Sequence, residues 1–301
     1  MAHSHSGACD RFSTRRARRR RNTARSAGFF AALLSFLQLA SPGRAQAASV
    51  EESGIDLLTF HRTNYFVTGF TDDTQVKFQF SIKYDLWPNR SRHNVYFAYT
   101  QKSLWDLYSR SSPFRESNYN PQLVYSHRHV AADRAHPGCS LVAEQTGFDH
   151  ESNGEDGNQS RSWNRVFAAG SAACVDVRGR FIGWGVQVWL PFGLRDNDDI
   201  TDYAGFGEFH LRTGVMDSER WWGSGELMLA GRKGTNTHGS LLAELSWRLG
   251  YRGAFGRAVR FAPFLFVQLF TGQGETLLRY DQTDRSVRVG IALRDRALLH
   301  E

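Results

Sequence analysis

The tripeptide His150-Glu151-Ser152 sets an imidazole and a hydroxyl two positions apart. On an extended strand, residues at that spacing leave the same face. The ring can then take the hydroxyl proton and turn the serine into a nucleophile toward an acyl carbonyl. The tripeptide alone is common and carries little weight. Asn164 adds to it, because the polar loop NGEDGNQSRSW separates Ser152 from Asn164, and a hairpin turning through that loop returns the amide beside His150. Nucleophile, base and a neutral orienting group would then share one surface, as nucleophilic acyl transfer requires.

Cys139 and Cys174 bear on the same hairpin. Paired positions in an antiparallel ladder have a constant sum of residue numbers; His150 with Asn164 gives 314 and Cys139 with Cys174 gives 313. The register predicts that the cysteines lie nearly opposite each other at the far end of the hairpin, where a disulfide Cys139–Cys174 is geometrically feasible. Two unrelated buried thiols are the other reading.

The elements that must position these groups show a period of two. Val76, Phe78, Phe80, Ile82 and Tyr84 alternate with polar neighbours, and so do Ile182 to Leu190, Leu241 to Tyr251 and Val287 to Leu293. Such segments are strands with two different faces. They run about 9 to 11 residues, where soluble strands average about 5 to 6. With aromatics near their ends and polar turns between them, they suit a barrel with lipid outside and a polar lumen, closed so that no edge is left unpaired. Eleven candidates appear, at 76–84, 94–101, 119–127, 141–151, 162–170, 180–190, 203–213, 224–231, 239–250, 260–270 and 286–294. An even count is required, and the short segment Asn64–Phe70 supplies the missing strand. The sequence thus predicts an all-β fold, a 12-stranded antiparallel transmembrane β-barrel over residues 64–294, with both chain ends on the periplasmic side. Which wall His150 faces stays open, since Val142, Phe148 and Glu144 share its parity.

The formal charge of +7 would point to nucleic acid or an anionic surface, but nine of the 37 basic residues and one of the 30 acidic ones lie in residues 1–47, leaving 28 against 29. The bulk of the chain is therefore near neutral, and no nucleic-acid partner is expected. Residues 1–47 read as a secretory signal: an arginine-rich start, an apolar stretch from Ala27 to Ala40, and Ala45-Gln46-Ala47 as a small-x-small cleavage site. The apolar stretch falls short of the ~20 residues of a spanning helix. Export permits disulfides. The remaining organisation is an N-terminal periplasmic segment at 48–63 and a C-terminal tail at 295–301.

Several strings together resemble bacterial outer-membrane phospholipase A. They are His150-Glu151-Ser152-Asn153-Gly154, Ser160-Arg161-Ser162-Trp163-Asn164-Arg165, Tyr99-Thr100-Gln101-Lys102-Ser103, Ser111-Ser112-Pro113-Phe114-Arg115-Glu116-Ser117-Asn118-Tyr119 and Gly272-Gln273-Gly274-Glu275. The resemblance spans Asn64 to Leu293. It implies a Ser-His-Asn triad on Ser152, His150 and Asn164, placed on the outer wall. It also implies a catalytic Ca2+ between two protomers, held by the Glu155 carbonyl, the Ser160 hydroxyl and Ser111 of the partner subunit, with the Gly154 amide helping to hold the oxyanion. Gln101 falls where the family has a dimer-interface glutamine, projecting from a lipid-facing surface and satisfied across the interface. The implied activity is hydrolysis of fatty-acyl esters in phospholipids and lysophospholipids, by a homodimer in the bacterial outer membrane with its site toward the outer leaflet. Two departures stand out. Glu155 occupies a position that is usually basic in the family, and residues 294–301 end in charge instead of an aromatic.

Other features weigh less. His127 and His129 would suit a metal pair, but beside Arg128 and His136 at a strand end they read as a solvated turn. The acidic run Asp196, Asp198, Asp199 lacks the spacing of a calcium loop and reads as a polar connection. A non-catalytic barrel and a soluble secreted esterase are the competing readings. Loss of the triad would favour the first, and solubility without detergent the second.

Overall fold

The computed structural model describes residues 58–70, 76–87, 92–133, 135–215, 225–249 and 261–295. The expected signal, most of the N-terminal segment and all but the first residue of the expected tail lie outside these residues.

The strands are β1 (Leu58–Phe60), β2 (Asn64–Phe70), β3 (Val76–Asp85), β4 (His93–Trp105), β5 (Phe114–Arg128), β6 (Gly138–Ser152) and β7 (Ser162–Val175). They continue as β8 (Arg180–Phe192), β9 (Gly207–Val215), β10 (Glu226–Lys233), β11 (Gly239–Arg248), β12 (Phe261–Gln273) and β13 (Thr283–Asp295). Each of β3 to β12 pairs antiparallel with the next, and β13 pairs with β2, which pairs with β3. The result is a closed barrel of twelve strands, β2 to β13. The short β1 occupies the same edge of β3 beyond β2, with Leu58 opposite Tyr84 and Tyr65 opposite Gln79. Asn64 bridges the step: its Oδ1 accepts from the Ser81 amide at 2.6 Å and its Nδ2 donates to the Ser81 carbonyl at 3.0 Å, so a side chain completes the ladder where the backbone departs from it.

Alternation decides which side faces what. Phe97, Leu123, Phe148, Val166, Val186, Val188, Phe209, Leu241, Leu269, Val287 and Ile291 are exposed on the outside, while Gln122, Asp149, Arg165, Glu244, Gln268 and Arg288 on strands of the same set are buried inside. A water-soluble protein inverts that distribution, whereas a barrel in lipid requires it. Among the described residues no helix is long and apolar enough to cross a membrane; the crossing is made by strands paired edge to edge around the closed sheet, with a break in the β5–β6 ladder at Asn120 and Pro121. Ion pairs and hydrogen bonds link many of the lumenal side chains. Lys77 Nζ reaches Gln268 at 2.8 Å and Glu275 at 3.2 Å, Arg288 binds Glu275, and Glu226 takes Arg212 at 2.6 Å and Arg294 at 2.9 Å.

Two expectations need correction. Strands β4 to β8 have 13, 15, 15, 14 and 13 residues, longer than the predicted segments. Apolar alternation marks only the part in lipid, and the pairing runs on into the polar rim. The segment starting at 203 does not begin as a strand: Ile200–Ala204 forms a short helix, α1, ended by Gly205 at φ 65°. Tyr203 and Phe206 look like strand positions, and five residues are too few to display a 3.6-residue period. Ile200 and Ala204 pack on Trp163, Trp189 and Leu277, an apolar plug in one end of the lumen. Residues 224, 250 and 260 of the predicted strands lie outside the described residues.

Candidate active site

β6 and β7 form a hairpin whose register sets His150 opposite Asn164 and Ser152 opposite Ser162. Inside, Asp149 is fully buried and accepts from Arg165 Nε at 2.8 Å, while Glu151 accepts from Trp163 Nε1 at 3.1 Å and from Arg165 at 3.3 Å. The Arg165 guanidinium also lies 4.2 Å from the Trp163 ring. These inward residues fix the odd-numbered positions, so His150, Ser152 and Asn164 stand on the outer wall with Phe148 and Val166. The face that sequence parity left open is thereby assigned.

His150 Nδ1 and Asn164 Oδ1 are 2.9 Å apart. Asn164 Nδ2 donates to the Phe192 carbonyl at 3.4 Å, which turns its oxygen toward the imidazole. An amide oxygen only accepts, so Nδ1 carries the ring proton and Nε2 keeps the lone pair available to a hydroxyl. Ser152 lies on the same face roughly 7 Å along the strand, two steps of extended chain. Asn120 Nδ2 donates to the His150 carbonyl at 2.8 Å from the adjacent β5.

The loop between β6 and β7 is built around Asn153, which the sequence reading passed over. It is 3 % exposed; its Oδ1 accepts from the Arg161 amide at 3.0 Å and its Nδ2 donates to the Gln159 carbonyl at 2.7 Å. Its signal was the Asn153-Gly154 dipeptide, a turn former. Gly154 adopts φ 67°, and a Cβ there would sit 2.9 Å from the Tyr119 ring. Gly193 is a second omission. At φ 71°, with an added Cβ only 2.6 Å from Asn164 Nδ2, it is the residue that leaves the amide its room.

The positions considered for a cation gather at this same end. Glu155 is exposed in the loop, and Ser160 Oγ donates to Asp196 Oδ2 at 3.0 Å, with Ser162 Oγ 3.4 Å from the same oxygen. Asp196, read from sequence as part of a polar connection, therefore places a carboxylate beside two serine hydroxyls, and Asn197 Oδ1 accepts from the Ser162 amide at 3.0 Å. Sequence distance hid this: the loop after β8 reaches across β7. Ser111 is exposed in the turn between β4 and β5, where Ser112 has φ 42° and Arg115 pairs with Asp106 at 2.5 Å. Hydrogen bonds from Ser109 and Arg115 hold the Asp106 carboxyl below its usual range.

Gln101 has the parity of the exposed Phe97 and so stands on the outer wall, as expected, and within one protomer its amide is engaged locally. It is only 8 % exposed, Tyr99 donates to its Oε1 at 3.3 Å and its Nε2 donates to Ser103 Oγ at 3.2 Å. Its cross-strand neighbours are Phe80 and Tyr119, so large rings flank the amide and its own strand satisfies it. Cys139 and Cys174 are opposite one another and disulfide-bonded. The difference between their residue sum and that of His150 and Asn164 is absorbed by a β-bulge at Val142, between Leu141 and Ala143.

Fold and site together define an integral β-barrel protein that carries a hydroxyl, an imidazole and an amide on its lipid-facing wall. Residues 47–293 match the family model for phospholipase A1. The phospholipase A1 of Salmonella typhimurium is 34 % identical over 231 residues, 73 % of this chain and 70 % of the relative; that of Escherichia coli K12 is 33 % identical over the same length. Among solved structures, outer membrane phospholipase A from Escherichia coli superposes with a TM-score of 0.64 at 28 % identity, covering 83 % of this chain and 95 % of that one. The Salmonella typhi outer membrane phospholipase, a dimer with bound calcium, gives 0.64 at 29 % identity, covering 81 % and 95 %. The chain belongs to the phospholipase A1 family and is a β-barrel phospholipase of the bacterial outer membrane.

Proposed function

We propose that the chain hydrolyses fatty-acyl ester bonds of phospholipids and lysophospholipids with Ser152 as nucleophile, His150 as base and Asn164 as its orienting partner, in a calcium-dependent homodimer. The contact of 2.9 Å between His150 Nδ1 and Asn164 Oδ1 on the outer wall is the observation that carries this reading.

Substrate reaches the wall laterally from the lipid. The Ser152 hydroxyl attacks the ester carbonyl while His150 Nε2 takes its proton; the same proton then passes to the departing alkoxide, releasing the lysophospholipid or glycerol-phosphate product. Water, deprotonated by His150, next cleaves the acyl-serine ester, and the returning proton restores Ser152. Asn164 holds the imidazole in the tautomer that leaves Nε2 free, though as a neutral amide it offers no charge to the imidazolium. The Gly154 amide lies in the loop next to Ser152 and is assigned to the oxyanion.

The donor set at this end is all oxygen: the Glu155 carbonyl, the Ser160 hydroxyl with Asp196 beside it, and the exposed Ser111, which serves a partner's site. That chemistry fits Ca2+, which takes carbonyl, hydroxyl, carboxylate and water ligands. When bound, the ion supplies positive charge next to the developing oxyanion. Gln101 keeps its dimer role here, exchanging a bond within its own strand for one across the interface. The loop at 153–161 faces outward and the Cys139–Cys174 end faces the periplasm.

The test is ester hydrolysis by the refolded chain in detergent. Ser152→Ala is expected to abolish turnover, and chelation of Ca2+ to suppress it reversibly; undiminished turnover in either arm rejects the assignment.

A further inference from the structure

The opposite rim of this wall carries a second cluster. His127 and His129, at the end of β5, share a face because they are two residues apart, and the register sets His127 opposite Glu144 of β6. Glu144 Oε2 lies 3.5 Å from His127 Nδ1 and 3.2 Å from His129 Nε2. One ligand atom from each of the three residues fits within 4.8 Å of the others. Six residues of extended β6 separate Glu144 from His150, roughly 20 Å, so this cluster is distinct from the lipase site.

Two features hold it in place. The His129 amide donates to the Val142 carbonyl at 2.9 Å, at the bulge in β6, which extends β5's pairing one residue beyond the strand and fixes where the second imidazole leaves the backbone. The His93 ring stacks on that of His127 with centroids 4.3 Å apart and 6° between planes, and its Nδ1 lies 2.7 Å from the Tyr125 hydroxyl. His93 is thus a support for the His127 ring, engaged elsewhere by its own nitrogen.

We infer that His127, His129 and Glu144 form a site for a divalent transition-metal ion, zinc foremost, with water completing the coordination. Two imidazoles and one carboxylate suit zinc and its neighbours in the series better than calcium or magnesium, which take oxygen ligands. Ligand distances of about 2.0 to 2.2 Å around a tetrahedral ion require the three side chains to draw together by an ångström or so. Glu144 has the freedom to do so, its side chain being 57 % exposed. A metal here would clip β5 to β6 at the rim where the disulfide already joins β6 to β7.

The experiment titrates Zn2+ alone into the detergent-refolded full chain, reading displacement from a chromophoric chelator and the thermal unfolding midpoint. His129→Ala and Glu144→Gln are compared with wild type and with His136→Ala, whose side chain is 87 % exposed in the neighbouring loop. Every other histidine, His3 and His5 included, stays constant. One zinc per chain is expected, with a raised unfolding midpoint. Affinity should fall by about 10- to 100-fold or more in both ligand variants, the scale on which even supporting partners of a metal act, and stay unchanged in His136→Ala. Unaltered affinity in either ligand variant, or an equal loss in His136→Ala, overturns the site. Titration in the Ser152→Ala background separates this result from the lipase reading, because zinc binding should persist there.

Discussion

In the proposed triad Asn164 has no charge with which to compel His150, so its role depends on where its amide points. That direction is set from outside the hairpin, by the Phe192 carbonyl on one side and the bare Cα of Gly193 on the other. Gly193→Ala would push a methyl group against Asn164 Nδ2 and force a left-handed backbone on alanine, a strain of about 1–2 kcal/mol. The expected outcome is a fall in kcat of about tenfold or more while KM changes little, because the lost interaction is made by the base and not by the lipid. Gly274→Ala is the control: its φ is 76°, but its Cβ would meet nothing within 4 Å. It should carry similar backbone strain and leave kcat near wild type in steady-state assays.

At the scale of the strand, the proposed catalytic positions of β6 are anchored by the residues between them. Asp149 and Glu151 both bind Arg165, so Arg165→Met would strand the fully buried Asp149 carboxylate and leave Glu151 held by Trp163 alone. A loss of about 3–5 kcal/mol is expected, measured by urea unfolding in detergent, with activity falling in parallel as the hairpin loosens. What was legible in advance follows from the same alternation. The pairing of His150 with Asn164 and of Cys139 with Cys174 could be read from residue sums, because antiparallel register is arithmetic. The wall faced by His150 could not, since Glu144 breaks the apolar parity of β6 and only the Arg165 ion pairs show which side is inside. α1 escaped notice because it is one turn long. The contacts of Asp196 and Asn197 were not legible either, because their partners Ser160 and Ser162 lie across a loop that no spacing rule connects.

For the whole barrel, the lipid-facing band and the charged lumen make opposite demands on substitution. Val186 is exposed on the band and Val177 is exposed in the turn between β7 and β8. Val186→Arg should cost about 2–4 kcal/mol near the bilayer midplane, seen as a lower yield of folded protein in vesicles, while Val177→Arg should leave the yield unchanged. Equal yields would place Val186 outside the hydrocarbon. Lys77, Glu275 and Arg288 are all nearly buried inside the lumen, and the plug around Trp163 and Trp189 fills one end, so the interior holds the wall in shape.

The strict interleaving of anchors and reactive groups along β6 has a consequence for biogenesis. Sliding that strand by a single residue would send Asp149 and Glu151 into hydrocarbon and bury His150 and Ser152 among arginines. No partly shifted chain could therefore retain some fraction of its turnover. For the wild-type chain at saturating Ca2+, slipped molecules would then lower specific activity only by lowering the census of correctly assembled ones.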